Sequence, residues 1–244
     1  MISRLLNRHG IPTPGVVDQT IDGAAVQYFG WLVDWLDEDL NGALILDAGC
    51  WNAPFGTYLR ASGVSVDYVG VDLSRQALRY ALGLEESLHV LRADLAQPTL
   101  PFASEAFDGV TLILTYEHLP RGTEPALIRA LAEVLKPGGW LVVITELNSL
   151  LAPLDPAWAF GHRHYSPGDL EPVFQSAGLD IEDMRINGGV WHCLEIIAAY
   201  VAKHIFRRRL YRPAWLCART TREYEPVPRW LGSRLSFKCR RPAG

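Results

Sequence analysis

Cysteine is scarce and scattered in this chain. Cys50, Cys193, Cys217 and Cys239 are the only four in 244 residues, with no C-x-x-C pair and no histidine at zinc spacing. That argues against a disulfide scaffold or a structural zinc site. A long apolar run is also lacking. Residues 190–206 come nearest, but Glu195 and Lys203 interrupt them, and a membrane span needs about 18–20 uninterrupted apolar residues. The first ten residues carry Arg4 and Arg8 but no apolar stretch or small-residue cleavage site. No secretory leader is therefore expected, and a reducing cytoplasm is the expected compartment. Neither a repeat nor a low-complexity tract is found.

What is present suits a packed core. Hydrophobic residues make up 49% and charged residues 20%, which excludes global disorder. The length fits one domain with appendages or two small domains. The formal net charge of −4 averages two unlike parts. Residues 200–244 hold twelve Lys and Arg against Glu223 and Glu225, a net of +10, and the other 199 residues carry −14.

Hydrophobic periodicity predicts a helix over 19–40, then an alternation of strands and helices. Strands are expected at 43–48, 65–71, 88–92, 107–114 and 140–145, with helices at 55–61, 74–82 and 124–135. Pro137-Gly138-Gly139 is expected to stop the last of these helices. A helix over 167–177, a strand over 179–186, a helical insertion over 190–230 and a last strand over 235–239 follow. The expected fold class is α/β: a doubly wound, mostly parallel Rossmann-like sheet of seven strands, the last antiparallel. Residues 1–40 are expected to form an N-terminal helical cap, 41–189 with 232–244 the core, and 190–231 a basic helical insertion on the substrate side.

In such a sheet ligands bind at the carboxyl ends of the strands. Those ends carry Asp47, Asp72, Asp94, Tyr116-Glu117-His118 and Glu146. A small-residue loop, Gly49-Cys50-Trp51-Asn52-Ala53-Pro54, follows Asp47 and lets backbone N–H groups approach a ligand. Asp72 suits a bidentate grip on ribose hydroxyls, and Asp94 can accept from an exocyclic amine. Together they describe a nucleoside-bearing cofactor laid across the strand ends. The bland alternative for Asp47 and Asp72 is turn formation, and for Cys50 simple burial. A nicotinamide-dependent oxidoreductase would need G-x-G-x-x-G in the first loop, which is absent.

The segments LILDAGCWNAPFG, YVGVDLS, LRADLAQPTLPFASEAFDGV, TYEHL and ALAEVLKPGGWLVVITE, in this order, resemble class I S-adenosylmethionine-dependent methyltransferases of the small-molecule type, akin to those of quinone biosynthesis. The likeness covers roughly residues 40–186 and the final strand. It implies S-adenosylmethionine as cofactor, with Asp47, Gly49, Cys50 and Trp51 around its methionine end. It places Asp72 on the ribose, Leu73 beside the adenine, Asp94 and the Leu95 backbone on the adenine edge, and Tyr116 closing the site. The family's D-x-G-x-G-x-G stands here as Asp47-x-Gly49-x-Trp51-x-Ala53. Either the Trp51 ring points away and only backbone is used, or it narrows the methionine end. A scaffold with a degenerate methyltransferase fold is the rival that Trp51 favours.

Methyl transfer from a sulfonium needs alignment above all. A base serves where the acceptor loses a proton; His118 is the first candidate, with pocket shaping without proton transfer as its alternative, and His164 and His162 are the second. For His162, Arg163 and His164 the favoured reading is that they simply tie their loop to the sheet. Tyr28, Trp31, Glu117, Trp158, His162, Tyr165 and Trp191 are expected around a small-molecule or lipid-linked acceptor, methylated at oxygen. No metal site is expected. The basic segment has three readings: an interfacial helix touching a membrane through 190–215, arginines that bind an anionic acceptor, or a helix packed on the acidic body. Packing, with a place over the acceptor pocket, is favoured. Nucleic acid is not expected, since no recognition module accompanies the basic residues.

Overall fold

The computed structural model describes residues 23–84, 88–97, 99–156, 161–208 and 211–244. Seven strands form one sheet: β1 (Leu44–Ala48), β2 (Asp67–Asp72), β3 (His89–Arg92), β4 (Phe107–Ile113), β5 (Leu135–Glu146), β6 (Asp180–Asn187) and β7 (Arg234–Arg240). Their order is β3-β2-β1-β4-β5-β7-β6. The pairs among β1 to β5 are parallel, and β7 runs antiparallel to both β5 and β6. The helices are α1 (Gly23–Leu36), α2 (Pro54–Ser62), α3 (Arg75–Leu84), α4 (Glu124–Val134), α5 (Pro167–Ser176), α6 (Val190–His204) and α7 (Ala214–Arg222).

Strand residues alternate between two cores, as the pleat requires. Ile45, Trp140, Val142 and Ile144 pack with Phe29, Leu32 and Leu36 of α1 and with Phe55 and Leu59 of α2. Leu46, Leu141 and Val143 face the opposite way, toward Leu127 and Leu131 of α4 and Leu170 and Phe174 of α5. Burial on both faces explains why β1 and β5 read as continuous apolar runs.

One expectation is corrected. Pro137-Gly138-Gly139 does not separate α4 from the next strand. The helix ends at Val134, and residues 135–139 already belong to β5. The register against β4 shifts between Phe107 and Gly109, and Gly138, at φ +79°, donates its N–H to the Arg241 carbonyl at 2.9 Å. The left-handed turn is absorbed as an irregularity at the strand's start.

The divided charge also finds a structural basis. Lys238 and Arg240 pair with Asp39, Arg240 also pairs with Glu182, and Arg241 pairs with Glu105. Part of the basic segment therefore packs on the acidic body. Arg207, Arg208, Arg219 and Arg222 do not share in this, and they are exposed.

Candidate active site

The loop after β1 is held from two sides. Gly49 and Cys50 both donate N–H groups to the Val71 carbonyl, at 2.8 and 2.9 Å. From the other side the Asp72 carboxylate accepts the Trp51 N–H at 2.9 Å and the Ser74 N–H at 2.7 Å, one on each oxygen. A carboxylate offers about four acceptor positions, so Asp72 keeps capacity for a pair of hydroxyls. Gly49 has φ +80°, and a Cβ there would lie 2.3 Å from Thr115 side-chain atoms. Trp51 and Ala53 also stand in the left-handed region, at φ +51° and +53°. Without a glycine at either position, the loop keeps a glycine-type backbone, at a cost on the order of 1–2 kcal/mol each. The half-buried Trp51 indole leaves its Nε1 without a hydrogen-bond partner among the described residues.

Asp47 lies beneath this loop and does not present an open carboxylate. It is 3% exposed; Tyr68 donates its hydroxyl to one oxygen at 2.7 Å and Thr111 to the other at 2.9 Å. Burial pushes its pKa up to about 6, against the lowering by these two hydrogen bonds. Cys50 is buried, and burial raises its thiol pKa, which suits packing and not nucleophilic chemistry.

Past β3, Asp94 accepts the Ala96 N–H at 3.0 Å and the Gln97 side-chain amide at 3.2 Å. The Ala96 N–H, first among its partners, lowers its pKa. An open groove lined by Arg92, Asp94, Gln97 and Leu100 runs beside it. Leu95 is buried and Leu73 is 55% exposed. An exposed leucine next to the Asp72 carboxylate suits the flat face of a base.

A second cluster is assembled after β4 and β5. Tyr165 donates its N–H to the Glu146 carbonyl and accepts the Asn148 N–H, at 2.9 and 2.8 Å, which stitches the 161–165 loop to the end of β5. Its ring meets Tyr116 edge-on, 5.0 Å between centroids. Arg163 reaches the carbonyls of Tyr116, Glu117 and Leu119 and pairs with Glu124, so it ties the 116–119 turn to this loop. The tying role weighed for 162–164 belongs to Arg163.

The histidines have a different arrangement. His118 Nε2 lies 3.3 Å from His162 Nε2, and His162 Nδ1 lies 2.9 Å from the Asp155 carboxylate. His164 Nε2 approaches the same Asp155 oxygen at 3.3 Å, without hydrogen-bond geometry. Burial lowers the His118 pKa, whereas the hydrogen bond to Asp155 raises that of His162. The chain Asp155–His162–His118 thus couples an acid to two imidazoles at the sheet's ligand edge. The ligating atoms of Glu117, His118 and His162 lie within 4.8 Å of one another, as do those of Glu146, Asp155 and His162. Both sets have the oxygen and imidazole donors that a divalent cation takes.

Deeper in, Glu117 is 3% exposed. One of its oxygens accepts the Thr145 hydroxyl at 2.9 Å; the other has no partner among the described residues, and the same holds for the Tyr28 hydroxyl. Arg234 pairs with Glu146. A small cavity lined by Glu146, Asp155, His164, Cys193, Ile196 and Ser233 adjoins them.

A strand-end carboxylate with acceptor capacity, a backbone loop beside it and a groove on the base side form a donor set that fits a nucleoside-bearing sulfonium. Comparison with known proteins agrees. A family model described as a methyltransferase domain matches residues 25–183. The chain belongs to the class I S-adenosylmethionine-dependent methyltransferase family. A ubiquinone biosynthesis O-methyltransferase of Xanthomonas oryzae is 32% identical over 166 residues, covering 60% of this chain and 66% of that relative. One from Bordetella avium is 28% identical over 173 residues, covering 63% and 70%. The match to the Xanthomonas relative thus spans just under two thirds of that protein. Solved structures share the fold. The [4+2]-cyclase SpnF has a TM-score of 0.65 at 22% identity, over 90% of this chain and 82% of that one. A putative sarcosine dimethylglycine methyltransferase of Galdieria sulphuraria has 0.64 at 14% identity, over 96% and 93%. S-adenosylmethionine is the cofactor of this methyltransferase family.

Within that methyltransferase frame the structure holds two groups: Trp51 with Asp72, and Tyr116, Glu117, His118, His162, His164 and Tyr165 around the turn after β4 and the loop after β5. It does not bring Trp191 to the cavity. The Trp191 ring lies over Arg219, 4.5 Å from the guanidinium carbon, and edge-on to Trp215; Cys193 and Ile196 of the same helix line the cavity instead. Trp31 stacks on Trp35, 5.2 Å between centroids, and meets Tyr28. It therefore supports Tyr28 from behind. Trp158 lies outside the described residues. Sequence reasoning missed Asp155 and Arg234. An acid seven residues before a histidine carries no spacing signal, and the Arg234–Glu146 pair forms across β5 and β7, 88 residues apart.

Proposed function

We propose that the chain transfers a methyl group from S-adenosylmethionine to an oxygen of a small-molecule acceptor, one carried on a lipid or other amphiphile that residues 190–215 bring within reach. The observation that carries this reading is the placement, on one sheet edge, of the half-engaged Asp72 carboxylate and the Asp155–His162–His118 chain. Family membership and the O-methyltransferase relatives support it.

Asp72 would hold the ribose hydroxyls, the backbone of 49–53 the methionine end, and Asp94, the Leu95 backbone and Leu73 the adenine end. When bound, S-adenosylmethionine supplies a methyl already activated on sulfur. Tyr116 closes the cofactor edge, and burial keeps its hydroxyl protonated. Glu117 and Tyr28 each offer an unpaired polar atom to the acceptor and orient its oxygen, since alignment supplies much of the acceleration. His118, its pKa lowered by burial, is neutral near pH 7 and takes the acceptor's proton. His162, fixed by Asp155, faces His118 and shares that proton.

The test is formation of S-adenosylhomocysteine, followed by mass spectrometry, with a panel of hydroxylated aromatic and prenylated acceptors. Turnover that His118→Asn lowers supports the reading. Tight cofactor binding with no turnover on any hydroxyl acceptor would turn it toward a binding protein.

A further inference from the structure

Helix α6 has two unlike sides. Cys193 and Ile196 line the small cavity beside Glu146, Asp155 and His164. Val190, Leu194, Val201 and Ile205 recur at helical spacing on the other side and are 39%, 46%, 37% and 69% exposed. Phe206, Tyr211 and Trp215 are also exposed, at 64%, 84% and 57%. A stripe of this extent is not a scatter of single surface apolar residues.

Its charge is of one sign. Between 190 and 222 the exposed charged residues among those described are Arg207, Arg208, Arg219 and Arg222. The sole acid in that stretch, Glu195, is buried in a pair with Arg212. Glu223, just beyond, accepts the Trp191 and His192 N–H groups at the start of α6, at 3.1 and 2.8 Å. Arg219 lies over Trp191 and beside Trp215, which keeps a cation next to an exposed indole. Apolar residues, aromatic anchors and arginines without intervening acids form the surface that an amphipathic helix presents to a lipid interface. No helix among the described residues is long and apolar enough to cross a membrane.

We propose that the outer side of α6, with α7, docks on an anionic lipid surface. Val190, Leu194, Val201, Ile205 and Phe206 enter the headgroup region, and Arg207, Arg208, Arg219 and Arg222 meet lipid phosphates. The inference deepens the reading of a lipid-borne acceptor and rests on it for one point: the helix that touches the lipid carries Cys193 and Ile196 beside Glu146, Asp155 and His164 on its other side, so an acceptor held at the interface would lie next to the proposed site. Charge complementarity selects anionic lipid over a second copy of this chain, because two identical arginine-rich faces repel each other.

The experiment is co-sedimentation of the full chain with vesicles of phosphatidylglycerol and phosphatidylcholine, against vesicles of phosphatidylcholine alone, at low and high salt. Binding at least tenfold tighter to the anionic vesicles and weakened by salt is expected. An Ile205→Glu/Phe206→Glu variant and an Arg207→Glu/Arg208→Glu variant should each lose at least tenfold in vesicle binding. Both should keep wild-type affinity for S-adenosylhomocysteine, which shows that they fold. A wild-type chain that binds S-adenosylhomocysteine but ignores anionic vesicles overturns the proposal. So does a concentration-dependent dimer, seen by light scattering, that Ile205→Glu dissolves. Failure of the methyltransferase reading looks different: vesicle binding would persist with no cofactor bound.

Discussion

The Trp51 backbone N–H donates to the Asp72 carboxylate at 2.9 Å, and through this bond the end of β2 sets the shape of the loop after β1. Asp72 therefore serves two partners, loop and ligand. Replacing it with alanine removes a charge-assisted hydrogen bond of about 1.5–3 kcal/mol. The expected result is S-adenosylhomocysteine binding weakened by about 10- to 100-fold, measured by isothermal titration, with Asp72→Asn intermediate.

Trp51 contributes to the loop through its backbone. Trp51→Gly keeps the N–H and makes the +51° φ unstrained. Cofactor affinity should change by less than about tenfold, or about 1.4 kcal/mol. A larger loss, with the fold intact by circular dichroism, would show that the indole itself holds the ligand.

Asp47 predicts a pH dependence of stability. Its folded pKa of about 6 stands above an unfolded value of about 3.9, so the folded state binds more protons between these values. Stability from this group is greatest below about pH 4 and falls as pH rises to about 6. The difference is on the order of 3 kcal/mol. Denaturant melts of wild type and Asp47→Asn across pH 4 to 7 isolate it: the variant should lack this slope, and equal slopes would contradict the assignment.

The imidazole chain predicts a rate profile. Burial holds the His118 pKa below its usual value, so kcat/KM should stay high at neutral pH and fall on acidification as His118 is protonated. His118→Asn should lower kcat by about 10²- to 10⁴-fold. Asp155→Asn removes the bond that raises the His162 pKa; the acid limb of the profile should shift, and cofactor affinity should not.

The legible parts of this protein are local. Each apolar strand with an acid at its end announces both an element and a ligand edge, and Asp72, Asp94 and the 116–118 turn follow from that pattern alone. The doubly wound, mostly parallel class follows from the alternation of strands and helices, but the order β3-β2-β1-β4-β5-β7-β6 does not. What was not legible is pairing at long range. Glu146 meets Arg234 because β7 inserts beside β5 in antiparallel register, and the Asp155–His162 contact has no spacing pattern that announces it. The pairing of Lys238 and Arg240 is of the same kind: their acids, Asp39 and Glu182, lie far away in sequence. Trp191 was misplaced because an apolar stripe does not reveal which side of its helix faces the sheet.

Titration of the purified full chain with S-adenosylhomocysteine bears most directly on the cofactor edge. One site per chain with an affinity in the micromolar range, weakened by about tenfold or more in Asp72→Ala, is the expected result. A folded chain that binds none at high micromolar ligand, or an Asp72→Ala chain that binds as tightly as wild type, would contradict it.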